Sequence, residues 1–419
     1  MKLETKCVQG GYRPKNGEPG ALPIAMSTTF TYESTQAVGD LFDLKADGFF
    51  YTRLANPTTA AVERKLAELE GGTAAMLTSS GQAATTLSIL NLVESGEKIV
   101  SSSEIYGGTF NLFAVTMKKM GIECIFVDPD DFDGLEKALK GGARAVFGET
   151  IANPALSVLD IEKWASLAHK YNVPLLIDNT FATPAICRPL EFGADIVIHS
   201  TSKYLDGHAV SLGGLIVDGG KFDYKKGGYK QFTEPDESYH GLVYADSFPA
   251  APFVTKARVQ MMRDLGSMIS PMNAFLLNLG TETLPLRMER HSENALKVAK
   301  FLKDSGKIKS ISYPALEGDK QYLRCKKYLG GKGSGVITFD IGSREKAIAF
   351  MDKLKLARIV VHVAEVRTGV LHPASSTHRQ LSDEQLIAAG ITPGTIRLSC
   401  GIEAVDDIIA DISDALSAS

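Results

Sequence analysis

Asp195-Ile-Val-Ile-His-Ser-Thr-Ser-Lys203 and, upstream of it, Val173-Pro-Leu-Leu-Ile-Asp178 decide the fold. Each is a short β-branched and leucine-rich run of the kind that forms a buried strand. Each ends in residues that do not belong in a core: Asp178 in one, Ser200, Ser202 and Lys203 in the other. A carboxylate and an amine at neighbouring strand ends invite a cofactor between them. Pyridoxal phosphate needs both, because its aldehyde is stored on a lysine as a Schiff base and its ring nitrogen is an electron sink only while a carboxylate keeps it protonated. Lys203 is the candidate amine and Asp178 the candidate partner of the ring nitrogen. Taken singly, a solvated lysine and a turn aspartate are the safer readings; occurring together, with hydroxyls directly before the lysine, they favour the cofactor. Ser200 and Ser202 alternate along an extended chain and can both hydrogen-bond its phosphate.

Ile177-Asp178-Asn-Thr-Phe-Ala-Thr-Pro184 followed by Ser200-Thr-Ser-Lys203 resembles the cysteine and methionine metabolism family of pyridoxal phosphate enzymes, over nearly the whole chain. That family includes cystathionine synthases and lyases, methionine γ-lyase and O-acetylhomoserine sulfhydrylase. The resemblance implies the α/β fold of fold-type I pyridoxal phosphate transferases, with a mainly parallel central sheet and a smaller C-terminal α/β domain.

With 419 residues, 44% of them hydrophobic and 22% charged, the chain has material for a large core and exceeds one ordinary domain. A formal net charge of -4 leaves no basic footprint for nucleic acid. The five cysteines (Cys7, Cys124, Cys187, Cys325, Cys400) are scattered without metal-ligand spacing, which fits a reducing compartment and no metal site. The N-terminus lacks an apolar signal core, and no later run approaches the roughly 18 apolar residues of a membrane span. A soluble cytoplasmic protein is expected.

Residues 1–55, rich in Pro, Gly and Thr, read as an extended N-terminal arm, followed by a cofactor-binding domain at 56–265 and a C-terminal domain at 266–419. Asn56 suits a helix N-cap and Pro57 the first helical position, with Val62, Leu66 and Leu69 on one face and Gly71-Gly72 as the stop. Tyr51 and Arg53 stand at alternate extended positions where a phenol and a guanidinium can converge on one phosphate. In the family this pair reaches the neighbouring subunit's cofactor phosphate, and Tyr51 also lies beside its substrate. The resemblance therefore implies self-association, as a homotetramer built from two active dimers.

Ser80-Gly81-Gln82 follows a strand and opens a helix, so the N–H groups of Gly81 and Gln82 form an anion site strengthened by the helix dipole. Strands are expected near 98–101, 122–127, 143–147, 173–177, 196–199 and 215–217, separated mostly by helices, as in a parallel sheet. Tyr106 precedes two glycines that let a ring approach a ligand closely. By resemblance Tyr106 stacks on the cofactor ring and assists the leaving group. Methionine γ-lyases typically carry cysteine where this chain has Gly108. Asn153-Pro154 reads as a turn, and the resemblance adds contacts from Asn153 to the cofactor's ring oxygen and the substrate carboxylate. Between Gly219 and Pro249 no regular period appears, so a long loop is expected; it resembles an insert of the O-acetylhomoserine sulfhydrylases.

Arg397, on the otherwise apolar strand Thr395-Ile-Arg-Leu-Ser399, must find an anion, and its planar fork suits a carboxylate. A structural ion pair is the plain alternative; the resemblance assigns Arg397 to the substrate α-carboxylate. Relatives usually read Asn-Val-Gly-Asp-x-Arg-(Ser/Thr)-Leu where this chain has His362-Val-Ala364-Glu365-Val-Arg-Thr368-Gly369. Thr368 matches, at a position the family places by the substrate. His372 and His378 are expected to order their loop and to bind no metal. Together these expectations point to γ-replacement on O-acetylhomoserine by sulfide or a thiol, a step of methionine biosynthesis. Cystathionine γ-synthase or γ-lyase chemistry is the alternative. The expected partners are an amino-acid substrate and a sulfur nucleophile, with or without a sulfur-carrier protein, and neither nucleic acid nor membrane.

Overall fold

The computed structural model describes residues 1–376, 379 and 391–418. Two sheets organise the chain. The first has seven strands: β1 (Ala74–Thr78), β2 (Lys98–Ser102), β3 (Glu123–Val127), β4 (Ala143–Glu149), β5 (Leu175–Asp178), β6 (Ile196–Ser200) and β7 (Gly214–Asp218). They lie in the order β1-β7-β6-β5-β4-β2-β3, and only β7 runs antiparallel to its neighbours. All six expected strand segments are present.

The central strands read as unbroken apolar runs because both of their faces are covered. Leu175, Ile177 and Val197 enter one hydrophobic cluster, whereas Leu176, Ile196 and Ile198 enter the other on the opposite face. Each is fully buried, which contributes about 1.5–3 kcal/mol per side chain. A polar residue within these runs would lose that contribution, so polar groups collect where the strands stop. Register makes this concrete: Glu149 pairs with Asp178 across β4 and β5, and Asp178 with Ile198 across β5 and β6. Asp178 and Ser200 thus sit at the carboxyl ends of adjacent parallel strands, where open α/β sheets hold ligands.

Helices Pro271–Glu282 and Leu284–Asp304 lead to the second sheet, of five strands: β8 (Ser310–Ser312), β9 (Val336–Asp340), β10 (Arg358–Ile359), β11 (Gly369–Leu371) and β12 (Thr395–Ser399). Strand β12 lies in the middle, and Arg397 pairs with Leu371 on one side and Thr338 on the other.

Two expectations need correction. The N-terminal arm is not extended throughout, since helices occupy Leu3–Gln9 and Thr35–Phe42. Cys7 of the first is fully buried, and the Ser34 side chain accepts from the Ala37 N–H to cap the second. Tertiary packing and a single cap supply what the short periods lack. The segment from Gly219 to Pro249 is likewise no open loop. It holds short helical turns at Lys230–Thr233, Glu237–Tyr239 and Tyr244–Ser247, built around the fully buried Tyr229, Phe232 and Tyr244. Tyr224 stacks on Phe232 with ring centroids 4.3 Å apart, and the Tyr229 hydroxyl donates to the Arg144 carbonyl. Arg144 lies at the amino-terminal end of β4, so this aromatic knot packs at the opposite end of the strands from Asp178.

Candidate active site

Asp178 ends β5 with its carboxylate accepting from the Thr180 N–H at 2.9 Å and from the Thr180 hydroxyl. Burial pushes its pKa up, opposed by the two Thr180 hydrogen bonds and by His199. The Thr180 hydroxyl oxygen also accepts from the Ser200 N–H at 2.8 Å, tying the ends of β5 and β6 together. Ser200 and Ser202 share a hydroxyl contact of 2.9 Å. Lys203 follows in a turn, its N–H bonded to the Ser200 carbonyl at 3.3 Å. Its Nζ lies 3.0 Å from His362 Nδ1. Burial, reinforced by the Arg397 charge, lowers the amine to about 8.

Ser80 caps the helix Gly81–Leu92, its side chain accepting from the Ala83 N–H. The Gly81 and Gln82 N–H groups, in the first turn, have no intrahelical acceptor. A Cβ on Gly81 would lie 2.7 Å from Ser200 Cβ, so only glycine lets the helix start approach the serine pair. Gln82 turns its side chain elsewhere, donating to the Gly108 carbonyl and accepting from the Thr109 hydroxyl. This holds the turn that carries Tyr106, a residue that is 48% exposed. A Cβ on Gly108 would fall 2.5 Å from the Tyr106 ring, which excludes a cysteine there unless the tyrosine moves.

On the other side, Arg397 is buried and donates to Asn153 Oδ1 at 3.1 Å and to the Val361 carbonyl at 2.9 Å. Among the described residues its Nε has no hydrogen-bond partner and no carboxylate pairs with it. Among the described residues no structural ion pair accounts for this arginine. Burial lowers it to about 10, still cationic at neutral pH. Arg397, Asn153, Tyr106, Gly107, Gly108, Pro154 and Pro373 line a cavity of about 270 Å³.

Glu149, at the end of β4, was not singled out by sequence. Its carboxylate accepts from the Tyr106 N–H at 2.7 Å and the Asn153 N–H at 3.1 Å, clamping both loops. Burial and the neighbouring Asp178 raise its pKa well above the ordinary carboxylate range. The signal available was its place at a strand end beside Asp178. His362, against Lys203, was noted only as a departure from the family pattern.

Hydrogen bonds now link the candidates in one path: Tyr106, Glu149, Asn153, Arg397, the Val361-His362 segment, Lys203, Ser200, Thr180 and Asp178. Ser202 joins it through Ser200 and the Ser80-Gly81-Gln82 helix start lies beside Ser200, whereas Thr368, Tyr51 and Arg53 stand off it. Thr368 is fully buried, with its hydroxyl donating to Glu403 and accepting from the Gly401 N–H, so it braces the frame. Tyr51 and Arg53 line a different cleft of about 540 Å³ with Phe42, Tyr239 and Arg263. His372 orders its loop as expected, bonding Ser375 and the Pro393 carbonyl at 2.8 Å each; His378 lies outside the described residues.

The segment after His362 carries strain. Ala364 is fully buried at φ 65°, and its N–H donates to Ser399 Oγ. A left-handed conformation costs an alanine about 1–2 kcal/mol and a glycine nothing. Ala364→Gly is expected to raise stability by about 1 kcal/mol, read as an upward shift of the urea midpoint at unchanged slope.

A profile of the family described as Cys/Met metabolism PLP-dependent enzymes matches residues 4–417. The chain belongs to this family. As a member of the Cys/Met metabolism family it uses pyridoxal 5′-phosphate, and the groups gathered here fit it: the N–H groups at Gly81 and Gln82 and two hydroxyls for a phosphate, an amine for the aldehyde, and a carboxylate to accept from the ring nitrogen. Among relatives, an O-acetyl-L-homoserine sulfhydrylase of Leptospira meyeri is 46% identical over 99% of this chain and 97% of its own. One from Thermus thermophilus is 41% identical with both chains fully covered. A homocysteine/cysteine synthase of Saccharomyces cerevisiae is 42% identical over 94% of this chain and 92% of its own. The crystal structure of a protein described as an O-acetylhomoserine (thiol)-lyase of Campylobacter jejuni, which carries a pyridoxyl-lysine phosphate, superposes with TM-score 0.96 at 38% identity, over the whole of both chains. No helix among the described residues of this family member is long and apolar enough to cross a membrane, and no cluster of three or more metal-ligating side chains occurs among them.

Proposed function

We propose that the protein catalyses γ-replacement on O-acetylhomoserine: the Cγ–O bond breaks, acetate leaves, and a sulfide or simple thiol forms the new Cγ–S bond. The product is homocysteine or a thioether such as methionine. The observation that carries this reading is Arg397, a buried cation with no carboxylate partner among the described residues, in one hydrogen-bonded frame with the Lys203 amine. Full-length relatives named for this activity support the choice of ester and nucleophile.

Bound pyridoxal phosphate supplies an electron sink for the pair of electrons left when a substrate C–H bond breaks. The rest falls to the chain. Arg397 and Asn153 grip the α-carboxylate, which fixes Cα in front of Lys203. The lysine amine, lowered toward neutrality, takes the proton from Cα and a further one next to it, and returns them after sulfur has added. Asp178 keeps a proton on the ring nitrogen, while Tyr106 covers the ring and assists departure of acetate. Ser80, Gly81, Gln82, Ser200 and Ser202 take the phosphate. Tyr51 and Arg53 reach a second subunit's phosphate, which calls for an active dimer and fits a homotetramer; Thr368, held by Glu403, stands on the substrate side with Tyr51. The protein works in the cytoplasm, with the arm at 1–55, the cofactor unit at 56–265 and the C-terminal unit at 266–419.

Two measurements test this. Supplied in turn with O-acetylhomoserine, O-succinylhomoserine, cystathionine and methionine, the enzyme should form homocysteine from the first and sulfide; methionine breakdown without acetylhomoserine turnover would overturn the reading. The Lys203 amine attacks only when neutral, so capture of pyridoxal phosphate by the cofactor-free chain should speed up as pH rises, with a midpoint near 8. A midpoint at the ordinary lysine value would remove the burial argument.

A further inference from the structure

This chain places an imidazole against its reactive amine: His362 Nδ1 lies 3.0 Å from Lys203 Nζ. The contact is braced from three directions. The preceding residue's carbonyl, Val361, accepts from Arg397 Nη2 at 2.9 Å. The strained Ala364 N–H donates to Ser399 Oγ on β12 at 2.9 Å. The Val366 N–H donates to the Gly207 carbonyl at 2.9 Å, while the Gly207 N–H donates to the carbonyl of Lys203 itself at 2.7 Å. One short strap therefore holds both the carboxylate-binding arginine and the ring that faces the amine.

We propose that His362 is a positioning residue for Lys203: its neutral imidazole accepts an N–H of the released amine at Nδ1 and keeps Nζ aimed at the reacting carbons. This rests on the amine chemistry proposed above and names a residue that serves it. The groups facing the ring decide its charge. Burial, Lys203 and Arg397 disfavour a proton on it, Asp206 and the Ser202 backbone favour one, and the first set prevails, holding the imidazole at about 4. Since Lys203 lies near 8, a proton taken from substrate stays on Nζ and returns from Nζ to carbon. His362 gains and loses none; it holds one of the remaining N–H vectors. Nε2 is buried with no hydrogen-bond partner among the described residues, so Nδ1 is the nitrogen the frame uses.

An acceptor facing an ammonium also favours that charged form. Removing it makes the amine easier to deprotonate yet less well aimed, an opposed pair of effects that loosened packing alone does not produce. The test uses His362→Leu, which keeps bulk without an acceptor, and His362→Asn, which restores an acceptor. In His362→Leu the pH midpoint for pyridoxal phosphate capture should fall by about one unit. Deuterium exchange at Cα of norvaline, an amino acid with no γ-leaving group, should slow about tenfold in the holoenzyme at unchanged half-saturation. His362→Asn should restore both. A leucine variant with parental midpoint and exchange rate would overturn the proposal, as would an asparagine variant as defective as the leucine one. Thermal melting establishes that each variant folds, and His362→Ala replaces leucine if that does not. Should the parent exchange norvaline yet give no homocysteine from O-acetylhomoserine, the substrate assignment fails and His362 keeps its role.

Discussion

Lys203→Ala is expected to remove turnover of O-acetylhomoserine by at least about 10⁴-fold and to erase the visible absorbance that the cofactor acquires on joining the amine. Two jobs fall on this nitrogen, holding the aldehyde and moving protons, so both readouts disappear together. The contacts around the phosphate are untouched in this variant, since Ser200, Ser202 and the start of the Gly81–Leu92 helix do not depend on the lysine side chain. Cofactor should thus still bind and be washed out more easily. Lys203→Arg should fare no better, because a guanidinium keeps its proton at every working pH. A spectrum together with a homocysteine assay checks both variants; turnover close to the parent's would remove Lys203 from the mechanism.

Arg397→Ala should lower kcat/KM by about 10³-fold, the scale of about 4 kcal/mol for deleting one partner of a buried charge pair. The loss should appear chiefly in KM, because Arg397 grips the substrate carboxylate and moves no proton, its own contacts running to Asn153 and the Val361 carbonyl. Arg397→Lys should recover little of it. An ammonium cannot satisfy Asn153, the Val361 carbonyl and a carboxylate with one planar fork. Substrate from which the α-carboxylate has been removed makes the check specific: parent and variant should process it equally poorly. A parent that handles the decarboxylated amine as well as the amino acid would show that Arg397 grips something else.

Much of this site could be read along the chain, and the reason lies in the sheet. Runs such as Leu175–Ile177 and Ile196–Ile198 are apolar on both faces, so any charge at their ends is conspicuous. Asp178, Ser200, Ser202 and Lys203 stand out on that ground. The Ser80-Gly81-Gln82 turn announces itself by a strand passing through glycine into a helix. Arg397 is visible as a cation in an apolar strand. Other features lacked a local signal. Glu149 is one acid after one strand until the fold brings the Tyr106 and Asn153 N–H groups to it. Thr368 matched a motif, yet the fold spends its hydroxyl on Glu403 and Gly401. The stretch from Gly219 to Pro249 looked irregular because its order comes from aromatic rings meeting across short turns, with neither a period of two nor one of 3.6.

By itself, then, the order of amino acids determined the parallel strands, the polar groups at their ends, and the amine, carboxylate and arginine that the chemistry needs. Those follow from burial, which acts on each residue according to its neighbours in the chain. Only the tertiary structure decided which distant groups meet: His362 with Lys203 across 159 positions, and Arg397 with Asn153 across 244. Such pairings depend on how the second sheet docks over the strand ends of the first, a matter of packing between elements that no local pattern encodes.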